Sequence, residues 1–202
     1  KVMAHAAALV RTPAHAADYG IVLPPATIDF NALCSRRAAV IDSLRSGIEM
    51  LLSGVNILHG EARFVAPKTV EVNGERLTAD RIVIATVSSS ASLPVPGAEN
   101  AVSSDGLLSL DAVPDTLAII GGGVIGMEFA SIFASLGSKV TVIEYFKEVL
   151  PQFDKDIAKR LRQSMASSGV TFVTGAQVTS IEPGKVSYQS GSKEGSVEAS
   201  VI

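Results

Sequence analysis

Apolar residues after Asp29 recur at steps of three and four positions, a spacing that predicts a long amphipathic helix. The side chain of Asp29 can cap its start, and Gly54 is expected to end it. The apolar face comprises Phe30, Leu33, Ile41, Leu44, Ile48, Leu51 and Leu52, and the other face carries Arg36, Arg37, Asp42, Arg45 and Glu49. We interpret the charged face as solvent-exposed. An alanine-rich segment that starts at Val2 predicts an earlier helix reaching Arg11.

Patterns of period two follow the long helix and predict strands. TVEVNGERL places Asn73-Gly74 between alternating apolar residues, which predicts a tight hairpin. RIVIAT, residues 81–86, is short and rich in β-branched residues, as is typical of a buried strand. From Val87 to Pro114 serines and prolines dominate and no period holds, so we interpret this stretch as the connection between two domains.

After Pro114 the pattern alternates between strand and helix. TLAII predicts a strand, residues 124–136 have helical periodicity, and KVTVIE predicts a second strand. Asp154 can cap a helix that runs through Ser167, and VTFVT predicts a third strand, with weaker alternation in VTSIE and KVSYQ. This alternation predicts an α/β fold with a parallel, Rossmann-like sheet. Because the sequence starts at Lys1 and VEASVI stops inside a predicted strand, we expect a segment of a longer protein.

The turn between the first two of these strands matches the pattern G-x-G-x-x-G, with the residues Gly121, Gly122, Gly123, Val124, Ile125 and Gly126. The pattern follows a strand and opens a helix, and this context predicts dinucleotide binding. Gly121 permits a tight turn, Gly123 lets a diphosphate approach the backbone, and Gly126 lets the helix pack close to the strand. The unpaired N–H groups and the dipole of the helix start attract the phosphates.

The second strand ends at Glu144, and this acid indicates which dinucleotide is bound. Its carboxylate can accept hydrogen bonds from the ribose hydroxyls of an adenosine, whereas it would repel a 2′-phosphate. Tyr145 and Phe146 supply no arginine for such a phosphate, and Lys147 is the only nearby cation. The sequence therefore favours NAD over NADP.

A membrane span from Leu117 to Gly137 is the competing interpretation of this apolar stretch. It would place Glu128 near the bilayer centre at a cost of several kcal/mol, so we favour nucleotide binding. The formal net charge of −3, without a basic run, gives no support to nucleic-acid binding. The single cysteine, Cys34, excludes an internal disulfide and is consistent with a reducing compartment. No metal site is expected from the scattered histidines His5, His15 and His59.

Several segments together resemble the FAD-dependent pyridine nucleotide-disulfide oxidoreductases. RIVIAT followed by PVPG resembles the crossing from the FAD domain to the NAD domain of that family. The segment from SSDGLL to KVTVIE resembles its NAD domain, and EVLPQFDKDIAKRL resembles the region after the ribose-binding acid. KVMAHAAAL resembles the segment just beyond the redox-active cysteine pair. Within the family, dihydrolipoamide dehydrogenases are the most similar branch, and mercuric reductases are the near alternative.

The resemblance implies roles for four further residues. Lys1 matches a lysine that lies against the flavin, and Glu128 matches the acid that pairs with it and supports catalysis; an unpaired terminal charge and a solvated acid are the simpler interpretations. Ala62 matches a position that contacts the FAD adenine, and otherwise is an ordinary strand residue. Val178 matches a position beside the NAD adenine, and core packing explains it equally well.

The family pattern is incomplete in this sequence. The FAD-binding glycine loop, both redox cysteines and the C-terminal interface domain are not in it, and Val87 stands where the family has a glycine. We expect residues 1–113 to be part of an FAD-binding domain and residues 114–202 an NAD-binding domain truncated at its C-terminal end. The resemblance therefore implies that this chain is a segment of an NAD-linked flavoenzyme that oxidises a dihydrolipoyl dithiol.

The same resemblance implies FAD and NAD as cofactors and a small dithiol or a lipoyl domain as the substrate. It also implies a homodimeric parent enzyme in the cytoplasm, or in the mitochondrial matrix of a eukaryote. Two alternatives remain open: a mercuric reductase-like flavoenzyme, and a redox-dead module that at most binds a nucleotide.

Overall fold

The computed structural model describes residues 1–13 and 16–202, which form two compact units. The first unit contains Lys1–Val40 and Ser92–Ile202, and the second contains Ile41–Ala91. The helices are α1 (Val2–Ala16), α2 (Phe30–Leu51), α3 (Ser104–Leu108), α4 (Val124–Ser135) and α5 (Lys155–Ser167). The strands are β1 (Ala62–Ala66), β2 (Thr69–Val72), β3 (Glu75–Thr78), β4 (Thr116–Ile120), β5 (Lys139–Glu144), β6 (Thr171–Thr174), β7 (Gln177–Glu182), β8 (Lys185–Ser190) and β9 (Lys193–Glu198).

The predicted parallel sheet is confirmed in the first unit. Its strand order is β4-β5-β6, and both neighbouring pairs run parallel. Val201 continues the sheet beyond β4 through a parallel bridge to Leu117. Asp154 caps α5 by accepting hydrogen bonds from the N–H groups of Asp156 and Ile157, as its side chain predicted. The α/β class is therefore confirmed.

A second sheet follows the parallel one. Strands β7, β8 and β9 form an antiparallel meander, and its buried side packs with residues of the parallel sheet in one apolar cluster. The weak alternation in VTSIE and KVSYQ predicted the first two of these strands. The third contains Lys193, Glu194 and Gly195, which have low strand propensity, so the sequence pattern did not identify it.

The main core of the first unit lies between β4, β5 and the helices that cover them. α1 packs on α4 through Met3 and Ala7, and Phe133 is fully buried in the same cluster. The prediction that the first helix ends at Arg11 was wrong, because it continues through Pro13 to Ala16. A proline inside a helix removes one backbone hydrogen bond and its ring crowds the carbonyl four residues earlier, and the contacts of α1 with α4 offset this cost.

The second unit contains the predicted hairpin. Asn73 and Gly74 both have positive φ, 51° and 85°, and join β2 to β3 as a tight turn between paired strands. The prediction of a buried strand at residues 81–86 was wrong: this segment is not a strand, and Val83 and Ile84 are exposed. No other described strand pairs with it, and a strand without a partner leaves its backbone groups to water.

Helix α2 begins after Asp29, whose Oδ1 accepts a hydrogen bond from the N–H of Ala32, as predicted. Phe30 and Leu33 pack against the main core of the first unit. Farther along the apolar face, Leu44 and Ile48, in the second unit, are 64% and 55% exposed. An apolar face is buried only where another element covers it, and no described element buries Leu44 or Ile48.

Candidate functional site

The glycine-rich segment forms a tight turn from β4 into α4. Gly121 has a φ of 104°, which a residue with a side chain rarely adopts, and its N–H donates to the carbonyl of Ile143 (2.8 Å). Gly123 is the N-cap of α4. The first hydrogen bond of the helix runs from the N–H of Met127 to the carbonyl oxygen of Gly123 (2.9 Å). The first amides of α4 therefore point out of the helix without partners within it.

The glycines of this turn differ in the space around their Cα atoms. A Cβ on Gly126 would lie 2.1 Å from the carbonyl oxygen of Gly121, so only glycine allows α4 to approach the turn this closely. A Cβ on Gly122 would lie 2.8 Å from Cγ1 of Val149. A Cβ on Gly123 would meet nothing within 4 Å. Open space over an uncapped helix start is the setting in which a diphosphate can approach the backbone.

Glu144 lies at the end of β5 and is only 5% exposed. Its Oε2 accepts a hydrogen bond from the N–H of Gly122 (2.5 Å), and its Oε1 accepts one from the N–H of Phe146 (2.7 Å). Each carboxylate oxygen has a second lone pair, so the group can also accept hydrogen bonds from hydroxyl groups. Sequence reasoning predicted the acid but missed its bond to the glycine turn.

Next to this carboxylate the chain exposes two aromatic rings. Tyr145 and Phe146 are 63% and 54% exposed and meet edge to face, with ring centroids 5.3 Å apart. Lys147 follows and is exposed. The surface beside Glu144 is therefore aromatic, and Phe146 and Lys147 also line a pocket with Lys155 and Lys159.

A cleft of about 500 Å³ opens beside the turn, at the carboxyl end of β4. Its walls include Gly121 and Gly123, the start of α4 at Val124 and Ile125, and the ring of Phe129. Val124 and Ile125 are exposed despite being apolar. The carboxyl ends of parallel strands are where open α/β sheets bind ligands, so this cleft and the turn form one candidate site.

The other predicted site residues lie in different surroundings. Glu128 is exposed on α4 and Lys1 is exposed before α1, and their side chains form no ion pair or hydrogen bond with residues that the structure describes. Val178 is buried in β7 in the cluster formed by the two sheets of the first unit. Ala62 is exposed at the start of β1 in the second unit.

The loop between β5 and α5 contains contacts that sequence reasoning missed. Glu148 and Arg162 form two hydrogen bonds, Nε to Oε1 at 2.6 Å and Nη2 to Oε2 at 3.1 Å. The hydrogen bond from Arg162 lowers the pKa of Glu148, and the same bond raises that of Arg162. Leu150 has a φ of 50°, and its N–H donates to the carbonyl of Gly122 (2.8 Å). The sequence "EVLPQF" carries no local pattern that predicts these long-range bonds.

Cys34 is half-buried in α2, and its Sγ lies 3.8 Å from the carbonyl oxygen of Leu110. Within residues 1–13 and 16–202, no group of three His, Cys, Asp or Glu side chains could hold a metal ion, and His15 lies outside the described residues. In the same part of the chain, none of the helices combines the length and the apolar character needed to cross a membrane.

Known proteins resemble this chain over its whole length. It is 36% identical to a dihydrolipoyl dehydrogenase of Acholeplasma laidlawii over 182 residues, which is 86% of this chain and 54% of that protein. It is 31% identical to a dihydrolipoyl dehydrogenase of Staphylococcus aureus over 213 residues, covering 100% of this chain and 46% of that protein. The chain spans about half the length of these curated relatives.

Among solved structures, the HOCl-induced flavoprotein disulfide reductase RclA from Escherichia coli superposes with a TM-score of 0.79 at 28% identity. The superposition covers 100% of this chain and 44% of RclA. The family model described as pyridine nucleotide-disulphide oxidoreductase matches residues 2–202. The chain therefore belongs to the pyridine nucleotide-disulphide oxidoreductase family, whose members are flavoproteins that use FAD and NAD(P).

Proposed function

We propose that residues 121–126 and Glu144 bind the ADP-ribose part of NAD in a flavoenzyme of the dihydrolipoyl dehydrogenase type. The observation that supports this proposal is the hydrogen bond from the N–H of Gly122 to Oε2 of Glu144, which holds this carboxylate beside the glycine turn. There it could accept hydrogen bonds from ribose hydroxyls. The diphosphate would lie over Gly123, where the space beside the backbone is open. The unpaired amides and the dipole at the start of α4 would stabilise its negative charge.

The choice of NAD over NADP rests on the charges around the ribose position. Glu144 is the buried anion there, and a 2′-phosphate beside it would add like charge in a poorly solvated place. Tyr145 and Phe146 offer no positive charge to offset this repulsion, and Lys147, the next residue, is exposed to solvent. NADPH should therefore bind more weakly than NADH.

The same proposal assigns the two cofactors of the parent protein to different parts of this chain. Residues 114–202 would form the NAD-binding domain, and residues 1–113 would contribute part of an FAD-binding domain. Lys1, Glu128 and Ala62 would lie on the flavin side and Val178 beside the NAD adenine, on the strength of the family resemblance. When bound, FAD would carry two electrons from a dithiol to the nicotinamide, so that a dihydrolipoyl group and NAD⁺ give lipoyl, NADH and a proton.

Binding without catalysis is the second candidate function, and one observation favours it for this chain alone. Exchange between a dithiol and an enzyme disulfide needs two cysteines in the enzyme, and this sequence contains one, Cys34, which is half-buried in α2. The chain as given would then bind NAD and leave the sulfur chemistry to residues outside it. Mercuric reductase-like activity is a variant of the first proposal and would need the same additional thiols.

Titration of the purified chain with NADH and NADPH tests the proposal. The fluorescence of the reduced nicotinamide reports the binding of either nucleotide directly. We expect saturable NADH binding and weaker NADPH binding. Equal affinities would contradict the role of Glu144, and no binding of either nucleotide would refute the site.

A further inference from the structure

Val149 lies against the glycine turn although 27 positions separate it from Gly122. Its side chain is fully buried, and Cγ1 occupies the space that a Gly122 side chain would need, 2.8 Å from the position of a Cβ. Val149 also belongs to the main core cluster, which includes Phe133 and Ala158. One face of this valine is therefore fixed by the core, and the other limits where the turn can lie.

The peptide groups of Gly122 are held from two further directions. Its N–H donates to Oε2 of Glu144, and its carbonyl accepts from the N–H of Leu150. Leu150 makes this bond from a left-handed conformation that is unfavourable for leucine, with a φ of 50°. Strained residues of this kind persist where the surrounding structure holds them, and they cluster at functional sites.

The loop that carries Val149 is itself fixed to α5. The two hydrogen bonds between Arg162 and Glu148 join the start of the loop to the helix, and Oε1 of Glu148 also accepts from the N–H of Val149 (3.1 Å). The loop is therefore hydrogen-bonded to α5 at its start and to the glycine turn through Leu150.

We propose that Val149 is a positioning residue for the dinucleotide site: its side chain sets the place of Gly122 and thereby the direction of the amides that face the diphosphate. This inference rests on the proposed NAD-binding function. Val149 itself is fully buried, so it acts on the ligand only through the turn. A turn fixed before binding loses less conformational freedom on binding, which strengthens the affinity.

The test compares variants at Val149 and Gly122 in the whole chain, with the NADH dissociation constant as readout. Val149→Ala should weaken NADH binding about tenfold, because the turn loses its support. Gly122→Ala should weaken it at least as much, because its methyl group displaces the turn. The double variant Gly122→Ala with Val149→Ala should recover part of the affinity, because the loss of Cγ1 removes the 2.8 Å contact. Oε2 of Glu144 at 3.1 Å and Cβ of residue 149 at 3.2 Å still lie close to the new methyl group.

Val140→Ala is the matched control, because Val140 belongs to the same core cluster at the opposite end of β5. It should cost similar stability and leave the dissociation constant unchanged. If Val149→Ala does not yield folded protein, Val149→Cys, a smaller change, replaces it. The inference is overturned if the folded Val149 variant binds NADH like Val140→Ala, or if the double variant shows no recovery. A wild-type chain that binds no NADH overturns the proposed function itself, and the inference with it.

Discussion

The carboxylate of Glu144 accepts a hydrogen bond from the backbone N–H of Gly122 at 2.5 Å, so the candidate ribose ligand and the glycine turn form one hydrogen-bonded unit. Glu144 is also bonded to the N–H of Phe146, and both of its oxygens thus accept from backbone donors. A substitution of Glu144 therefore changes the shape of the site as well as its charge. Experiments on nucleotide preference have to separate these two effects.

Glu144→Gln should lower the free energy of unfolding by about 1–3 kcal/mol, because the amide NH₂ would face a backbone N–H that then lacks an acceptor. The same variant should reduce the ratio of NADH to NADPH affinity, because it removes the charge that repels a 2′-phosphate. Urea unfolding and fluorescence titration measure the two effects. Glu182→Gln, at an exposed position at the end of β7, is the control and should change neither quantity. An unchanged affinity ratio would show that the charge of Glu144 does not select the nucleotide.

Gly123→Ala should separate binding from folding. The new Cβ would meet no atom within 4 Å and the backbone φ of −72° suits alanine. The free energy of unfolding should therefore fall by no more than about 1 kcal/mol, the cost of alanine in place of glycine at a helix N-cap. NADH affinity should fall at least about tenfold, because the methyl group occupies the approach of the diphosphate. Gly47→Ala in α2 adds a methyl group in equally open space and should leave NADH binding intact. Normal NADH binding by Gly123→Ala would place the diphosphate elsewhere.

The pair of Glu148 and Arg162 should make folding stability depend on pH in the acidic range. The folded-state pKa of Glu148 is lowered, so its stabilisation is present above the unfolded-state pKa of about 4.3 and is lost as the pH falls through the folded value. Both side chains are partly exposed, at 29% and 27%, which limits the contribution to about 1 kcal/mol. Urea unfolding between pH 7 and pH 3 should show this loss. Arg162→Gln should be less stable at pH 7 and lose less on acidification; parallel pH profiles would disprove the coupling.

The parallel sheet and the glycine turn could be predicted because their signals are local. Asp154 before a helical period and Gly121 between a strand and a helix each determine the conformation of their own segment. The failures concern segments whose state depends on neighbours. RIVIAT has the composition of a buried strand, yet no described strand lies beside it. Burial of Leu44 in α2 likewise needs a covering element. Composition predicts what a segment can form, and only its partners decide whether it does.

The same distinction holds within the candidate site. G-x-G-x-x-G and the acid at the end of the next strand are close in sequence to the elements that position them, so both were predicted. Val149 and Leu150, which hold the glycine turn in place, lie in a loop beyond β5. Val149 limits the space beside Gly122, and Leu150 donates a backbone hydrogen bond to the carbonyl of Gly122. Neither contact requires a particular spacing of residue types, so the sequence does not reveal it. Such contacts become visible only when the distance between the two segments is known.

Flavin content provides a separate prediction about the chain as given. FAD binding by this family is proposed to require more of the protein than Lys1 and Ala62, so the purified chain should be colourless and show no flavin absorbance near 450 nm, roughly where free flavins absorb. Added FAD should not be retained on gel filtration. A yellow preparation with one flavin per chain would contradict this, and would show that these 202 residues suffice for FAD binding.

The aromatic surface beside Glu144 offers a test of nucleotide preference that leaves the buried carboxylate intact. Tyr145 is mostly exposed and precedes the residue that bonds to Glu144, so a guanidinium in its place can reach a 2′-phosphate without disturbing the core. Tyr145→Arg should raise NADPH affinity about three- to tenfold and leave NADH affinity within twofold, since charge-assisted hydrogen bonds at an exposed position contribute about 1 kcal/mol. Lys147→Ala should lower NADPH affinity, because it removes the cation that follows the aromatic pair in the chain. If both variants change NADH and NADPH affinity equally, the 2′ position of the ribose does not face this surface.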